Sequence, residues 1–100
     1  YSYDRRNRRS MRPRVPWMTS ADNRILEFLD ETGIVATPQV IAANIDYNRL
    51  YVNERIRVLA QNKLVEKDDK PLYQITERGR QYLKGELDVD DLPARHEEDR

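Results

Sequence analysis

The sequence predicts one small α+β domain, mostly helical, in which three helices are followed by a two-stranded hairpin and a last helix. One hundred residues with 38% hydrophobic content suffice for a single compact core and leave no room for a second. Apolar residues recur at three- and four-residue spacing in two stretches, each preceded by a residue able to cap a helix. Two short apolar and alternating runs then flank a turn composition.

Each element has its own justification. Thr19-Ser20-Ala21-Asp22 has capping-box spacing: a hydroxyl can accept a backbone N–H, and an acidic group three residues on lies near the positive helix end. Ile25, Leu26, Phe28 and Leu29 follow at helical spacing, and Gly33 stands where a C-terminal cap belongs, so the first helix is predicted over about residues 20–32. Thr37-Pro38 repeats the start signal ahead of Val40, Ile41, Ala42 and Ala43, a short second helix whose alanines allow another helix to approach closely. After Asn44-Ile45-Asp46-Tyr47, a third helix runs from about Asn48 to Asn62 with Val52, Ile56 and Leu59 along one stripe. The runs 64–67 and 72–75 form a hairpin across Asp68-Asp69-Lys70-Pro71. Thr76 caps a last helix through Gly79, Tyr82 and Leu83, and Gly85 ends it. Two helices joined by a turn of a few residues, then a hairpin, make the winged helix-turn-helix order.

The formal net charge of zero hides three zones. Residues 1–16 carry six arginines (Arg5, Arg6, Arg8, Arg9, Arg12 and Arg14) against Asp4; residues 17–84 carry ten basic and ten acidic groups; residues 85–100 carry seven acidic against two basic. The expected organisation is a basic arm or leader at 1–17, a winged helix-turn-helix domain at 18–87 and an acidic tail at 88–100, arm and tail both without fixed structure. The chain opens on Tyr1, and Met11 and Met18 both precede the folded pattern, so either is a candidate natural start. A start at Met18 would leave twelve basic and seventeen acidic residues. A basic segment of this kind can track a nucleic-acid backbone or enter the minor groove, but it reads equally as a leader outside the natural protein.

Composition also excludes. Without cysteine there is no disulfide framework, thiolate nucleophile or finger-type zinc site, and the lone histidine, His96, lies in the acidic tail. No stretch approaches the length of an apolar membrane span, and no charged-then-apolar leader opens the chain, so the expected setting is cytoplasmic. Asp68-Asp69 and Asp90-Asp91 are adjacent carboxylates in a turn and a tail, lacking the burial that acid–base work needs. No nucleophile has a base beside it, and no glycine-rich loop follows a strand. An enzyme, a cofactor, a metal and a small-molecule ligand are not expected.

The remaining chemistry lies on the third helix. In a helix-turn-helix the second of the paired helices enters the major groove, where amides and guanidinium groups match base edges. With Val52, Ile56 and Leu59 inward, Arg49, Leu50, Asn53, Glu54 and Arg57 point outward or sideways, and Arg49 and Asn53 are the leading base readers. Asn48 is the expected N-cap, beside first-turn N–H groups that can meet a phosphate. Tyr51 and Arg55 lie together on the other flank and join the candidate DNA-binding set, and Lys67 and Lys70 flank the wing turn within reach of phosphates. Arg78 and Arg80 have similar standing to the wing lysines. A polar helix face is by default only a solvated face, and lysines among aspartates are commonly only a soluble turn; the helix-turn-helix context is what favours DNA. Trp17 and Met18 are expected to pack on the domain or at a dimer seam.

Several residues together resemble a known family. They are Met18-Thr19 with Arg24-Ile25-Leu26-Glu27, Thr37-Pro38 leading into Ile41-Ala42-Ala43-Asn44-Ile45-Asp46-Tyr47, and then Arg49, Tyr51-Val52 and Arg55. Tyr73, Ile75-Thr76, Arg78-Gly79-Arg80, Tyr82-Leu83 and Gly85-Glu86-Leu87 complete the set. In these the chain resembles the phage phiH repressor-like family of winged-helix proteins of haloarchaea and their viruses. The resemblance implies a DNA-binding repressor or regulator working as a dimer. The chain departs from it in the basic arm, and in Gln61-Asn62-Lys63 where the family usually has a glycine; Asn62 is expected to take the left-handed cap conformation instead.

The resulting expectation is a sequence-specific double-stranded DNA binder, a homodimeric transcription regulator acting as a repressor. The alternative is a winged-helix protein–protein interaction module, favoured by the balanced core charge and the acidic tail.

Overall fold

The computed structural model describes residues 15–68 and 70–87. Helix α1 (Ser20–Thr32) starts on Thr19, whose hydroxyl accepts from the Asp22 N–H at 3.2 Å while the Asp22 carboxylate accepts from the Thr19 N–H at 2.9 Å. It ends on Gly33 at φ 66°, a conformation that costs glycine nothing. Helix α2 (Pro38–Ile45) is capped by Thr37, and helix α3 (Arg49–Gln61) by Asn48. Strands β1 (Val65–Lys67) and β2 (Tyr73–Ile75) pair antiparallel with Val65 opposite Ile75. Helix α4 (Glu77–Leu83) starts on Thr76. The expected winged helix order is therefore present, with each strand starting one residue later than the runs suggested, although the Leu64 carbonyl still accepts from the Thr76 N–H at 3.1 Å.

The core lies where the helices meet the hairpin. Ile25, Leu26 and Leu29 of α1, Ile41 of α2, and Val52, Ile56 and Leu59 of α3 are all fully buried, with Leu64, Val65 and Tyr82 closing it from the wing and α4. Each such aliphatic side chain contributes about 1.5–3 kcal/mol of transfer free energy. Of the α2 alanines only Ala42 is buried; Ala43 faces out.

Three features differ from the sequence expectation. The left-handed residue after α3 is Lys63 (φ 67°), whereas Asn62 stays near the helical region (φ −96°, ψ 8°). Asn62 is held there because its amide donates to the Val58 carbonyl at 3.0 Å and its own carbonyl accepts from Arg78 Nε at 3.1 Å. Second, Ala36 joins the sheet as a single bridge to Tyr73, with N–H···O distances of 2.9 and 2.8 Å. Third, Val15 is buried in the core, whereas Trp17 and Met18 pack against it as expected. The arginines of the arm and the tail residues 88–100 lie outside the described residues.

Thr76 and Gly79 join wing to α4. The Thr76 hydroxyl accepts from the Gly79 N–H at 3.1 Å and donates toward the Lys63 and Leu64 carbonyls at 2.7 and 3.0 Å. A Cβ at Gly79 would collide with the Leu64 carbonyl oxygen and the Ile75 side chain, so only glycine lets α4 sit this close to the hairpin.

Candidate nucleic-acid interface

Helix α3 is amphipathic with its seam fixed by Val52, Ile56 and Leu59. At about 100° per residue, Leu50, Glu54 and Arg57 then fall on the side opposite the seam, Arg49 and Asn53 on one flank, and Tyr51 and Arg55 on the other. Burial agrees: Arg49, Leu50, Glu54 and Arg57 are exposed and Asn53 is half-buried.

The flank bearing Arg49 and Asn53 opens onto a notch of about 390 Å³. Thr37, Pro38 and Gln39 at the start of α2 line one wall, Arg49, Leu50 and Asn53 of α3 the floor, and Pro71 of the wing turn the far side. The fold thus brings two of the candidate base readers together in one concave surface shared by the helix pair and the wing. Lys67 and Lys70 are exposed on the wing.

Asn48 caps α3 as expected, its Oδ1 accepting from the Leu50 N–H at 2.8 Å and the Tyr51 N–H at 3.2 Å. Those two donors are already engaged, so the helix end offers a phosphate fewer free N–H groups than a bare terminus would. Tyr51 stacks on Tyr47, with ring centroids 6.5 Å apart and planes at 29°. Its aromatic face therefore serves the turn between α2 and α3 as well as the surface.

Arg55 is placed differently from the other candidates. Its Nε and Nη2 donate to the two Asp22 carboxylate oxygens at 2.9 and 2.7 Å, and Nη2 also donates to the Trp17 carbonyl at 2.9 Å. The Asp22 side chain is wholly buried and that of Arg55 is 16% exposed. The hydrogen bond to Asp22 raises the Arg55 pKa above its ordinary value, against a desolvation that lowers it. This guanidinium is turned inward to join α3, α1 and the segment before α1. On sequence alone Asp22 is a cap and nothing more, and nothing in the periodicity of either helix marks a pairing across 33 positions. Arg78 and Arg80 are likewise drawn to the fold, Arg78 by the Asn62 carbonyl and Arg80 by Asp30 at 3.4 Å.

Sequence reasoning leaves the α2 side of the notch unassigned. Thr37 and Pro38 signal only a helix start, and Gln39 carries no signal until α2 is set beside α3. Among the described residues no group of three or more His, Cys, Asp or Glu side chains is placed to hold a metal ion, and no helix is long and apolar enough to cross a membrane.

Comparison with known proteins shows the family. Residues 11–95 match the winged helix-turn-helix phage repressor family. The chain is similar to the repressor protein of Halobacterium phage phiH, at 37% identity over 86 residues, which are 82% of this chain and 97% of the relative. It is also similar to the crystal structure of the PhiH1 repressor-like protein from Haloarcula marismortui, with a TM-score of 0.71 at 32% identity, covering 78% of this chain and 90% of that one. With the family match, the fold and both relatives in agreement, the chain belongs to the winged helix-turn-helix phage repressor family, a non-enzymatic class of DNA-binding transcription regulators.

Proposed function

We propose that this protein is a sequence-specific repressor that binds a palindromic or near-palindromic operator in double-stranded DNA as a homodimer and blocks polymerase or a competing factor in the cytoplasm. The observation that carries the reading is the notch that places Arg49 and Asn53 of α3 beside the α2 start and the wing. Arginine suits the paired acceptors of guanine and asparagine the acceptor–donor pair of adenine in the major groove. Arg57 one ridge over, and Lys67 and Lys70 on the wing, supply phosphate contacts. Asn48 acts by fixing the first turn, and Tyr51 contributes from the flank. Arg55, held by Asp22, supports the reading helix from behind. The dimer is supported by reach: one recognition helix reads few base pairs, and two-fold partners double the site.

The test is fluorescence anisotropy of the full chain with a labelled fragment from upstream of its own gene against scrambled DNA, across a salt series. A preference of roughly a thousandfold, lost on Arg49→Ala or Asn53→Ala, supports the reading. Equal weak binding to both DNAs, unchanged by those substitutions, sinks it in favour of a protein-interaction module.

A further inference from the structure

Leu50 is the most exposed large hydrophobic side chain among the described residues, at 70%, compared with 38–44% for Ile34, Val35, Val40 and Tyr51. It stands in the first turn of α3, on the side opposite the buried seam. Its side chain lines the notch with Arg49 and Asn53, while its N–H is fixed by the Asn48 cap at 2.8 Å. Core packing does not account for it, since Val52, Ile56 and Leu59 already form the seam. Solvation does not favour it either, because the neighbouring outward positions are Glu54 and Arg57.

What such a side chain needs is an apolar partner within a surface otherwise built for hydrogen bonds. The major groove has one apolar group at a fixed place, the 5-methyl of thymine, and apolar side chains recognise it. We infer that Leu50 is a specificity-determining residue that packs against a thymine 5-methyl group, adjacent to the base pairs faced by Arg49 and Asn53. The inference rests on the proposal that α3 reads DNA. The three residues divide the work by chemistry: Arg49 and Asn53 match polar base edges, and Leu50 demands a methyl where cytosine or uracil would leave bare surface. A cap that pins the Leu50 backbone makes that demand sharp, because the side chain cannot withdraw by fraying the first turn.

The test uses the full chain and the duplex it enriches from a random double-stranded DNA library. Thymines in that duplex are replaced one at a time by deoxyuridine, which removes the methyl and leaves every hydrogen-bonding group in place. Burial of one methyl is worth about a fourfold change in affinity, so at one position per half-site the substitution should weaken the wild-type protein by about that factor. Leu50→Ala should bind thymine and uracil duplexes alike, and Leu50→Met should retain the discrimination. An unchanged melting temperature for both variants checks that the exposed position leaves the fold intact.

The inference is overturned if the uracil penalty persists in Leu50→Ala, or if a strongly selective wild-type protein shows no uracil penalty anywhere; the DNA-reading role of α3 then survives. Failure to enrich any duplex removes both. If Leu50→Ala alters the sedimentation of the free protein and not its methyl discrimination, Leu50 belongs to a contact between copies of this chain and the inference falls.

Discussion

The Asp22 carboxylate and the Arg55 guanidinium face each other through two hydrogen bonds of 2.9 and 2.7 Å, one partner wholly buried and the other nearly so. Removing one member of such a pair leaves an uncompensated charge in the interior. Arg55→Ala is expected to lower unfolding free energy by about 3 kcal/mol, and Asp22→Ala at least as much because it also opens the α1 capping box. Replacing both by apolar residues of similar volume, Asp22→Leu with Arg55→Met, should recover a large part of the loss. Urea denaturation of the three variants measures this; a double change that costs the sum of the two single changes would mean that the pair is not coupled.

The same geometry separates Arg55 from the other cations in binding. Removing one cation that neutralises a phosphate should reduce the slope of log affinity against log salt by about 0.9, so a substitution present in both copies of a two-fold dimer should reduce it by about 1.8. Lys67→Gln, Lys70→Gln and Arg57→Gln are each expected to do so, whereas Arg55→Met, assayed where it is fully folded, should leave the slope unchanged. A reduced slope for Arg55→Met would place its guanidinium on a phosphate.

Gly79 is expected to tolerate no side chain. Since a Cβ there meets the Leu64 carbonyl and Ile75, Gly79→Ala should destabilise by about 1–3 kcal/mol, although alanine is the better helix former. A thermal melt showing stabilisation would contradict the close packing of α4 on the wing.

Lys63 holds the left-handed conformation without the freedom of glycine. Lys63→Gly should therefore raise stability by about 0.5–1 kcal/mol, read as a higher denaturant midpoint with unchanged slope. A loss of stability would show that the lysine side chain makes a compensating contact.

What the sequence made legible was mostly local. Thr19 with Asp22, Thr37 with Pro38, Asn48 and Thr76 each cap a helix within a few residues of themselves, and a periodic stripe such as Val52, Ile56 and Leu59 announces its own burial. The unread features link distant positions. Asp22 meets Arg55, Ala36 bridges Tyr73, and Tyr82 donates to Asn23 at 2.8 Å across 59 positions. Capping and amphipathic spacing carry no information about such partners, so on sequence alone Arg55 is one more flank cation. The choice between Asn62 and Lys63 for the left-handed turn is also beyond local reasoning alone, because one of the two contacts that hold Asn62 comes from Arg78 reaching back to its carbonyl.

The bridge between Ala36 and Tyr73 bears on how the notch behaves as a gauge. Its two backbone hydrogen bonds fasten the residue just before the Thr37 cap to the first residue of β2, two positions after Pro71. The two walls of the notch are thereby clamped together through main chain, and their separation does not depend on which side chains line them. A ligand backbone of matching width would enter a gap already set at folding, with little ordering left to be done on contact. Substitutions at Gln39, Arg49, Leu50 or Asn53 could then change which sequence is accepted while leaving the calibre that accepts it untouched.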